Sequence, residues 1–243
     1  MSGGMTIERL DRIAEIETTH FWFTTRRRIV HDALRRLPRP DPAVVVDVGC
    51  GTGAVLSGLP RADTRIGIDP LGAHMNDRKD APAFAQGTIL DLPIRDASAD
   101  VVLALDVLEH VDDTAGLVEV RRVLRPEGHL VMTVPAGPRL WSARDDEAGH
   151  LRRYTRAGVR TVLEATGFTV ERCTAFHGVL LPLLAASRIA GRRSTATRDM
   201  EDHPGRVLNR VLSAVTGAEA SLAERGLRLP VGSSLIAVAV PSR

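Results

Sequence analysis

Cysteine is almost missing from this chain. Cys50 and Cys173 are the only two, and neither belongs to a CxxC pair. A disulfide framework is thereby excluded, and a reduced, cytoplasmic setting is expected. Aromatics are scarce at 3%, with Tyr154 the single tyrosine and Trp22 and Trp141 the two tryptophans, so a place where they cluster carries information. Lys79 is the only lysine. Arginine, which replaces it, presents planar, permanently charged donors suited to carboxylate or phosphate, although the base composition of a genome can produce the same bias. The 32 basic residues face 30 acids, a formal net charge of +2. That balance speaks against a dedicated nucleic-acid binder. No apolar run reaches the roughly 18 residues of a membrane span. The first residues carry acids where a secretion signal needs an apolar run. With 44% apolar and 26% charged residues over 243 positions, the composition is that of a globular protein, one large domain or one domain plus a cap.

Strands and helical segments alternate along the chain. A helical stretch from about Thr24 to Leu37 stops at Pro38, Pro40 and Pro42, since proline cannot continue a helix. Ala43 to Val48 is a β-branched run of the kind buried on both faces of a sheet. Further strands are expected at Thr64–Asp69, Ala83–Gln86, Ala99–Leu105, His129–Val134, Phe168–Thr174 and Ser233–Val240, with helices at Asp113–Leu124 and Thr155–Ala165 and a turn at Arg125–Gly128. Such alternation implies right-handed crossovers and an open, mostly parallel sheet covered on both faces. Phe176 to Val231 is too long for a simple connection. It holds an apolar stretch, Val179 to Ala186, then Arg188, Arg192 and Arg193, and a helical segment from Arg206 to about Arg225, and reads as an inserted cap. The organisation expected is a helical and aromatic flap over 1–40, a cofactor-binding core over 41–175, the cap over 176–231 and a last core strand over 232–243.

The strongest signal is Asp47-Val48-Gly49-Cys50-Gly51-Thr52-Gly53, glycines delivered by a strand into a short helix. They let a ligand approach main-chain N–H groups with no Cβ in the way. Asp69, twenty-two residues after Asp47 at the end of the next strand, suits a carboxylate reaching ribose hydroxyls. Gly49, Gly51 and Ala54 also satisfy the dinucleotide pattern, so the glycines alone leave a nicotinamide cofactor and another adenosyl ligand open.

Together with Leu105-Asp106-Val107-Leu108-Glu109-His110-Val111 and Leu124-Arg125-Pro126-Glu127-Gly128-His129-Leu130, this loop resembles the class I S-adenosylmethionine-dependent methyltransferases, in motif order and spacing, over roughly Ala43 to Val134. The resemblance implies a Rossmann-like, doubly wound, mostly parallel seven-stranded sheet with helices on both faces, the inserted helical cap preceding its last strand. It implies S-adenosyl-L-methionine as cofactor. Gly49, Cys50 and Gly51 would pass its methionine part, Asp47 would order the loop and help hold the ammonium, and Asp69 would accept from the ribose with Pro70 near the adenine. The main chain at Leu105 or Asp106 would lie near the ammonium. Where many members carry an acid toward the adenine amino group, this sequence has Thr88, a neutral acceptor, with the Ile89 N–H beside it and Asp91 as the rival acceptor.

Two flanking segments are read as functional. His20-Phe21-Trp22-Phe23 followed by three arginines could close the cofactor mouth, with Trp22 excluding water and Arg27 meeting the cofactor carboxylate, or could latch the N-terminus to the sheet. Trp141 to Tyr154 stands where substrate loops belong, beyond the carboxyl end of a strand. There Arg152 and Arg153 could hold an anionic substrate, and His150 or Tyr154 could take its proton; His110 is a further base or a wall of the site. No Cys, His or acid cluster has metal-ligand spacing, so no metal is expected. The reading is methyl transfer to an oxygen or nitrogen of a small-molecule acceptor. A nicotinamide-dependent oxidoreductase and a non-catalytic cofactor-binding protein are the alternatives. The partner expected is the small substrate, not nucleic acid. The chain is expected as monomer or homodimer, with peripheral membrane contact open through the apolar stretch and its arginines.

Overall fold

A computed structural model describes residues 6–61, 63–71, 82–182, 204–227 and 229–242. Seven strands form one sheet in the order β3-β2-β1-β4-β5-β7-β6. They are β1 (Val44–Val48), β2 (Thr64–Asp69), β3 (Ala83–Gln86), β4 (Ala99–Leu105), β5 (Leu124–Pro135), β6 (Phe168–Phe176) and β7 (Ser234–Pro241). The first five are mutually parallel, while β7 runs antiparallel to both β5 and β6. The order reverses between β1 and β4, and the crevice beyond their carboxyl ends is where ligands bind in such sheets.

β4 is buried along its whole length because helices cover both faces, which is why it reads as a continuous apolar run. On one face, Val46, Val102 and Leu130 pack with residues of α4 (Asp113–Val123) and α6 (Arg156–Ala165). On the other, Val45, Val101, Leu103 and Val131 pack with α2 (Phe21–Arg35) and α3 (Ala54–Ser57). The Arg125–Gly128 turn lies inside β5 as a break in register: Ala99 pairs with Leu124, but Val101 already pairs with His129.

The helix expected from Thr24 starts three residues earlier. His20 accepts from the Trp22 N–H through Nδ1 and caps α2 at Phe21. The three consecutive aromatics therefore occupy a first helical turn and diverge, with only Phe21 fully buried. Further helices are an N-terminal α1 (Ile7–Ile16), a short α5 (Ala143–Ala148) after β5 and a long α7 (Arg206–Glu224) before β7, with single 3-10 turns at Leu108–His110 and Pro138–Leu140. α7 lies on α2: Thr25 Oγ1 donates to Thr216 Oγ1 at 2.8 Å, and Arg28 pairs with Glu224 at 2.7 Å. Leu180 and Leu212 bury with Phe21 in a small separate cluster. The remainder of the apolar stretch from 183, with Arg188, Arg192 and Arg193, lies outside the described residues. No helix among the described residues is long and apolar enough to cross a membrane.

Candidate active site

The glycine-rich loop leaves β1 in a conformation that a side chain would oppose. Gly49, Gly51 and Gly53 have φ of +67°, +53° and +73°, a region that costs other L-residues roughly 1–2 kcal/mol. The Gly49 and Cys50 N–H groups donate to the Ile68 carbonyl at 2.7 and 3.2 Å. Asp69 ties the loop down further, its two oxygens accepting from the Gly51 and Leu71 N–H groups, both at 3.0 Å. The Cys50 thiol is pushed up in pKa by burial and then by the charges of Asp47 and Asp69, so it stays protonated. Pro70 is exposed next to Asp69, and its carbonyl accepts from Gln86.

Asp47 is fully enclosed behind this loop, and its Oδ1 has no hydrogen-bond partner. Burial pushes its pKa up to about 7, with Arg26 pulling it down and Asp69 raising it. A buried acceptor without a donor is costly in a fold and implies that something with a donor completes it. Thr88 is exposed, and its hydroxyl accepts from the Leu90 N–H at 3.3 Å; Ile89 sends its side chain into the core against Gly116.

At the end of β4, Leu105 is buried and Asp106 takes a left-handed backbone with φ +57°. Its carboxylate accepts from Thr133 Oγ1 at 2.9 Å and pairs with Arg26. Arg26 is thus the α2 arginine that pairs with the end of β4. Arg27 stands within electrostatic reach of Glu17. The Trp22 indole stacks on the His177 imidazole, which burial leaves neutral with its pKa lowered to about 3.

α1 roofs this region. Leu10 Cδ1 stands 3.3 Å from where a Cβ on Gly51 would lie. Glu17, at the end of α1, accepts from Thr52 Oγ1 at 2.6 Å. Arg9 donates to the Glu147 carbonyl at 3.2 Å, linking α1 to the loop after β5. Nothing in the sequence pointed to Leu10 or Glu17, since a lone residue on an unpredicted helix has no pattern around it, whereas Arg26 belongs to the arginine run already read as functional.

The segment after β5 is organised by Asp145, also unpredicted. It accepts from His150 Nδ1 at 2.9 Å, Arg153 Nε at 2.7 Å and the Ser142 N–H at 2.8 Å. Burial alone would raise its pKa, but these donors hold it well below the usual carboxylate range. His110 and His150 meet edge to face with ring centroids 4.8 Å apart. Beside them Glu109 is 1% exposed, with Oε2 lacking a partner. Burial, and then the charge of Asp106, raises its pKa well above the ordinary value.

Tyr154 does not join the histidines. Its ring belongs to the main core cluster, and its hydroxyl donates to Asp113 Oδ2 at 2.8 Å and to the Leu108 carbonyl at 3.3 Å. Burial raises its pKa beyond that of a free phenol, which opposes the expected role as a base. Arg152 and Arg153 are likewise engaged within the protein. Arg152 Nη1 lies 3.0 Å from Asp113 and donates to the Val111 carbonyl, and Arg153 binds Asp145 and the Ala136 carbonyl.

Comparison with known proteins bears on this arrangement. A methyltransferase domain family matches residues 46–132, the stretch from β1 through β5. A probable S-adenosylmethionine-dependent methyltransferase of Mycobacterium tuberculosis is 29% identical over 216 residues, 85% of this chain and 72% of the relative. A probable S-adenosylmethionine-dependent methyltransferase of Mycolicibacterium smegmatis is 32% identical over 175 residues, 69% of this chain and 67% of the relative. Among solved structures, a chain from the complex of the Haloferax volcanii Trm112 methyltransferase activator with a candidate methyltransferase superposes with a TM-score of 0.63 at 21% identity, covering 96% of this chain and 95% of that one.

Proposed function

Since the chain belongs to the class I S-adenosylmethionine-dependent methyltransferase family, we propose that it methylates an oxygen or nitrogen of a small molecule held between the ends of β4 and β5. That the protein is an enzyme using S-adenosylmethionine follows from the family; the size and type of the acceptor are our reading. The observation that carries this reading is the strap made by α1. Through Glu17 on Thr52 and Arg9 on Glu147, the helix spans from the glycine loop to the segment after β5. Polypeptide thereby roofs the approach to the site, which suits a small acceptor better than a macromolecular surface. The near-balance of charge agrees with it.

The residues present fit the cofactor. The unpartnered Asp47 Oδ1 suits an ammonium donor, directly or through water, and the left-handed glycines leave the loop bare of side chains. Asp69 uses one lone pair of each oxygen on the main chain, and a carboxylate offers about four, which leaves acceptor capacity for ribose hydroxyls. In our assignment Gly49, Cys50 and Gly51 line the methionine part, Leu105 and Asp106 flank the ammonium, and Pro70, Thr88 and Ile89 edge the adenine. Trp22 belongs to the wall on the α2 side, with Arg26 in the place first given to Arg27.

The cofactor, once bound, supplies a methyl group on a positively charged sulfur. What the chain contributes is alignment of the acceptor and exclusion of water, the main sources of rate in such a displacement. His110 and His150 are the groups we assign to face the acceptor, and either can take its proton. Tyr154, Arg152 and Arg153 are reassigned as positioning residues, which fix the segment carrying His150 through Asp113 and Asp145. We also assign the described part of the insertion, α7, to bracing the N-terminal flap, given its bonds to α2.

The test is to incubate the purified protein with methyl-labelled cofactor and a cell extract, then separate the products by size. Label should enter material that passes a small-pore filter. Label confined to protein or nucleic acid would overturn the small-molecule reading.

A further inference from the structure

Glu109 and His110 follow β4, whereas His150 arrives from beyond β5, yet the fold brings the three together. One ligand atom from each lies within 4.8 Å of the others, and Glu109 Oε1 is 4.0 Å from His150 Nε2. We propose that these residues form a binding site for a divalent first-row transition metal, with zinc as the reference ion. Two imidazoles and a carboxylate are a donor set that such ions accept.

Three observations carry the proposal. The first is the tautomer of His150. The Asp145 carboxylate accepts from Arg153 Nε and the Ser142 N–H and lies 2.9 Å from His150 Nδ1, so Nδ1 is the ring nitrogen that carries the hydrogen toward it. In the neutral ring Nε2 then carries the lone pair, 4.0 Å from Glu109 Oε1. A metal-ligating histidine usually has its other nitrogen fixed by a carboxylate or carbonyl in this way, and here that second partner is built and buried. His110 has its own main-chain hydrogen bond at Gly149. The second is Glu109, 1% exposed with Oε2 lacking any donor. A carboxyl enclosed without a partner needs one, and a cation supplies it. The third is access. The His150 side chain is 17% exposed and His110 is half-buried, so the site is neither sealed nor a solvated surface cluster.

Ligand atoms around a tetrahedral zinc stand about 3.3 Å apart. The widest pair must therefore close by up to about 1.5 Å, which rotation of the imidazoles can provide. The two arginines whose charges act on Glu109, Arg26 and Arg153, are already paired with Asp106 and Asp145. Three protein ligands leave a fourth position open, the arrangement of catalytic zinc sites, to be taken by water or by an acceptor oxygen, with the two histidines then serving as ligands rather than as bases; the acceptor's place there rests on the methyl-transfer reading above. The forty-position separation of His110 and His150 explains why spacing alone gave no metal signal.

Zinc titrated calorimetrically into chelator-treated full-length protein should bind one to one. His110→Ala and His150→Ala should each weaken it at least tenfold, and Asp145→Asn by about tenfold or more, as lost outer partners do. Cobalt(II) should give a visible spectrum without thiolate charge transfer, which excludes Cys50 and Cys173 as ligands. If His150→Ala does not fold, the His110 variant and the cobalt spectrum still decide. Absence of stoichiometric zinc uptake, or undiminished affinity in both histidine variants, overturns the site. S-adenosylhomocysteine binding measured in chelator reports separately on the methyltransferase reading, which can stand when the metal site fails.

Discussion

Thr52 Oγ1 donates a 2.6 Å hydrogen bond to the Glu17 carboxylate, joining the end of α1 to the middle of the glycine-rich loop. Burial raises the pKa of Glu17, while Thr52 and the charges of Arg27 and Arg26 lower it, so the bond sits in a half-buried, charged setting. A hydrogen bond to an ionised group is worth about 1.5–3 kcal/mol at most, less with partial exposure. Glu17→Ala should lower stability by about 1 kcal/mol in denaturant titrations and weaken S-adenosylhomocysteine binding by about three- to tenfold, measured by calorimetry. Equal affinity in the variant would separate the strap from the cofactor site.

Asp47 ties cofactor binding to pH. Its pKa of about 7 in the free protein means that an ammonium ligand must displace a proton below neutrality, which costs about tenfold in affinity per pH unit there. Affinity for S-adenosylhomocysteine should climb from pH 6 to a plateau above 7, and Asp47→Asn should flatten that climb while weakening binding. Stability runs the other way in the free enzyme. A carboxyl whose pKa is raised on folding favours the fold fully below the unfolded aspartate value, and that contribution is lost as pH rises through about 7. Melting curves should therefore show Asp47→Asn gaining more over wild type at pH 8 than at pH 5.

Gly49 is constrained twice. Its φ is +67°, and a Cβ there would stand 2.5 Å from Val107 Cγ2, on a β-branched side chain with little room to turn. Gly49→Ala should lower stability by about 1–3 kcal/mol in denaturant titrations and abolish measurable cofactor binding. A variant that retains normal affinity would mean the loop can relax and does not cradle the methionine part.

The contiguous parts of this molecule were legible in its sequence. Asp47 to Gly53 lie within one strand and its turn, so a local pattern sufficed, and the β-branched runs placed the strands. Residues that act across the fold were not legible. That Arg26 is the member of the arginine run that pairs with Asp106 depends on packing across the fold, which a run of three identical residues does not reveal. Asp145 looked like one acid among several in a polar loop, and only packing makes it the shared acceptor of His150 and Arg153. Tyr154, sole tyrosine in a cluster of charges, invited a chemical role, yet its ring fills the core and its hydroxyl serves Asp113.

Tyr154→Phe tests that correction. Removing the hydroxyl leaves Asp113 with Arg152, so the loss should be about 1 kcal/mol of stability with turnover within a few-fold of wild type. His150→Ala should reduce turnover far more, by about a hundredfold if it serves as base. A collapse of turnover in the phenylalanine variant, with its fold intact, would return the tyrosine to the chemistry.

His177, packed against Trp22 of α2, supplies the remaining test. Its imidazole is fully buried, stacked on Trp22 with centroids 4.2 Å apart and planes at 16°, and neither ring nitrogen has a partner. Burial is the main reason its pKa falls to about 3; Asp106 acts to raise it, and Arg26 and His20 to lower it further. In the unfolded chain the same ring takes its proton near 6.5. Between those values the unfolded state binds more protons than the native one, so this group's contribution to stability is present above 6.5 and is lost as pH falls toward 3. His177→Phe keeps an aromatic ring against Trp22 but cannot be protonated. Chemical denaturation of both proteins from pH 7 to pH 4 should show the wild type losing stability more steeply than the variant. Parallel slopes would mean the unfolded chain gains no proton advantage at this position, and the depressed pKa of His177 would be refuted.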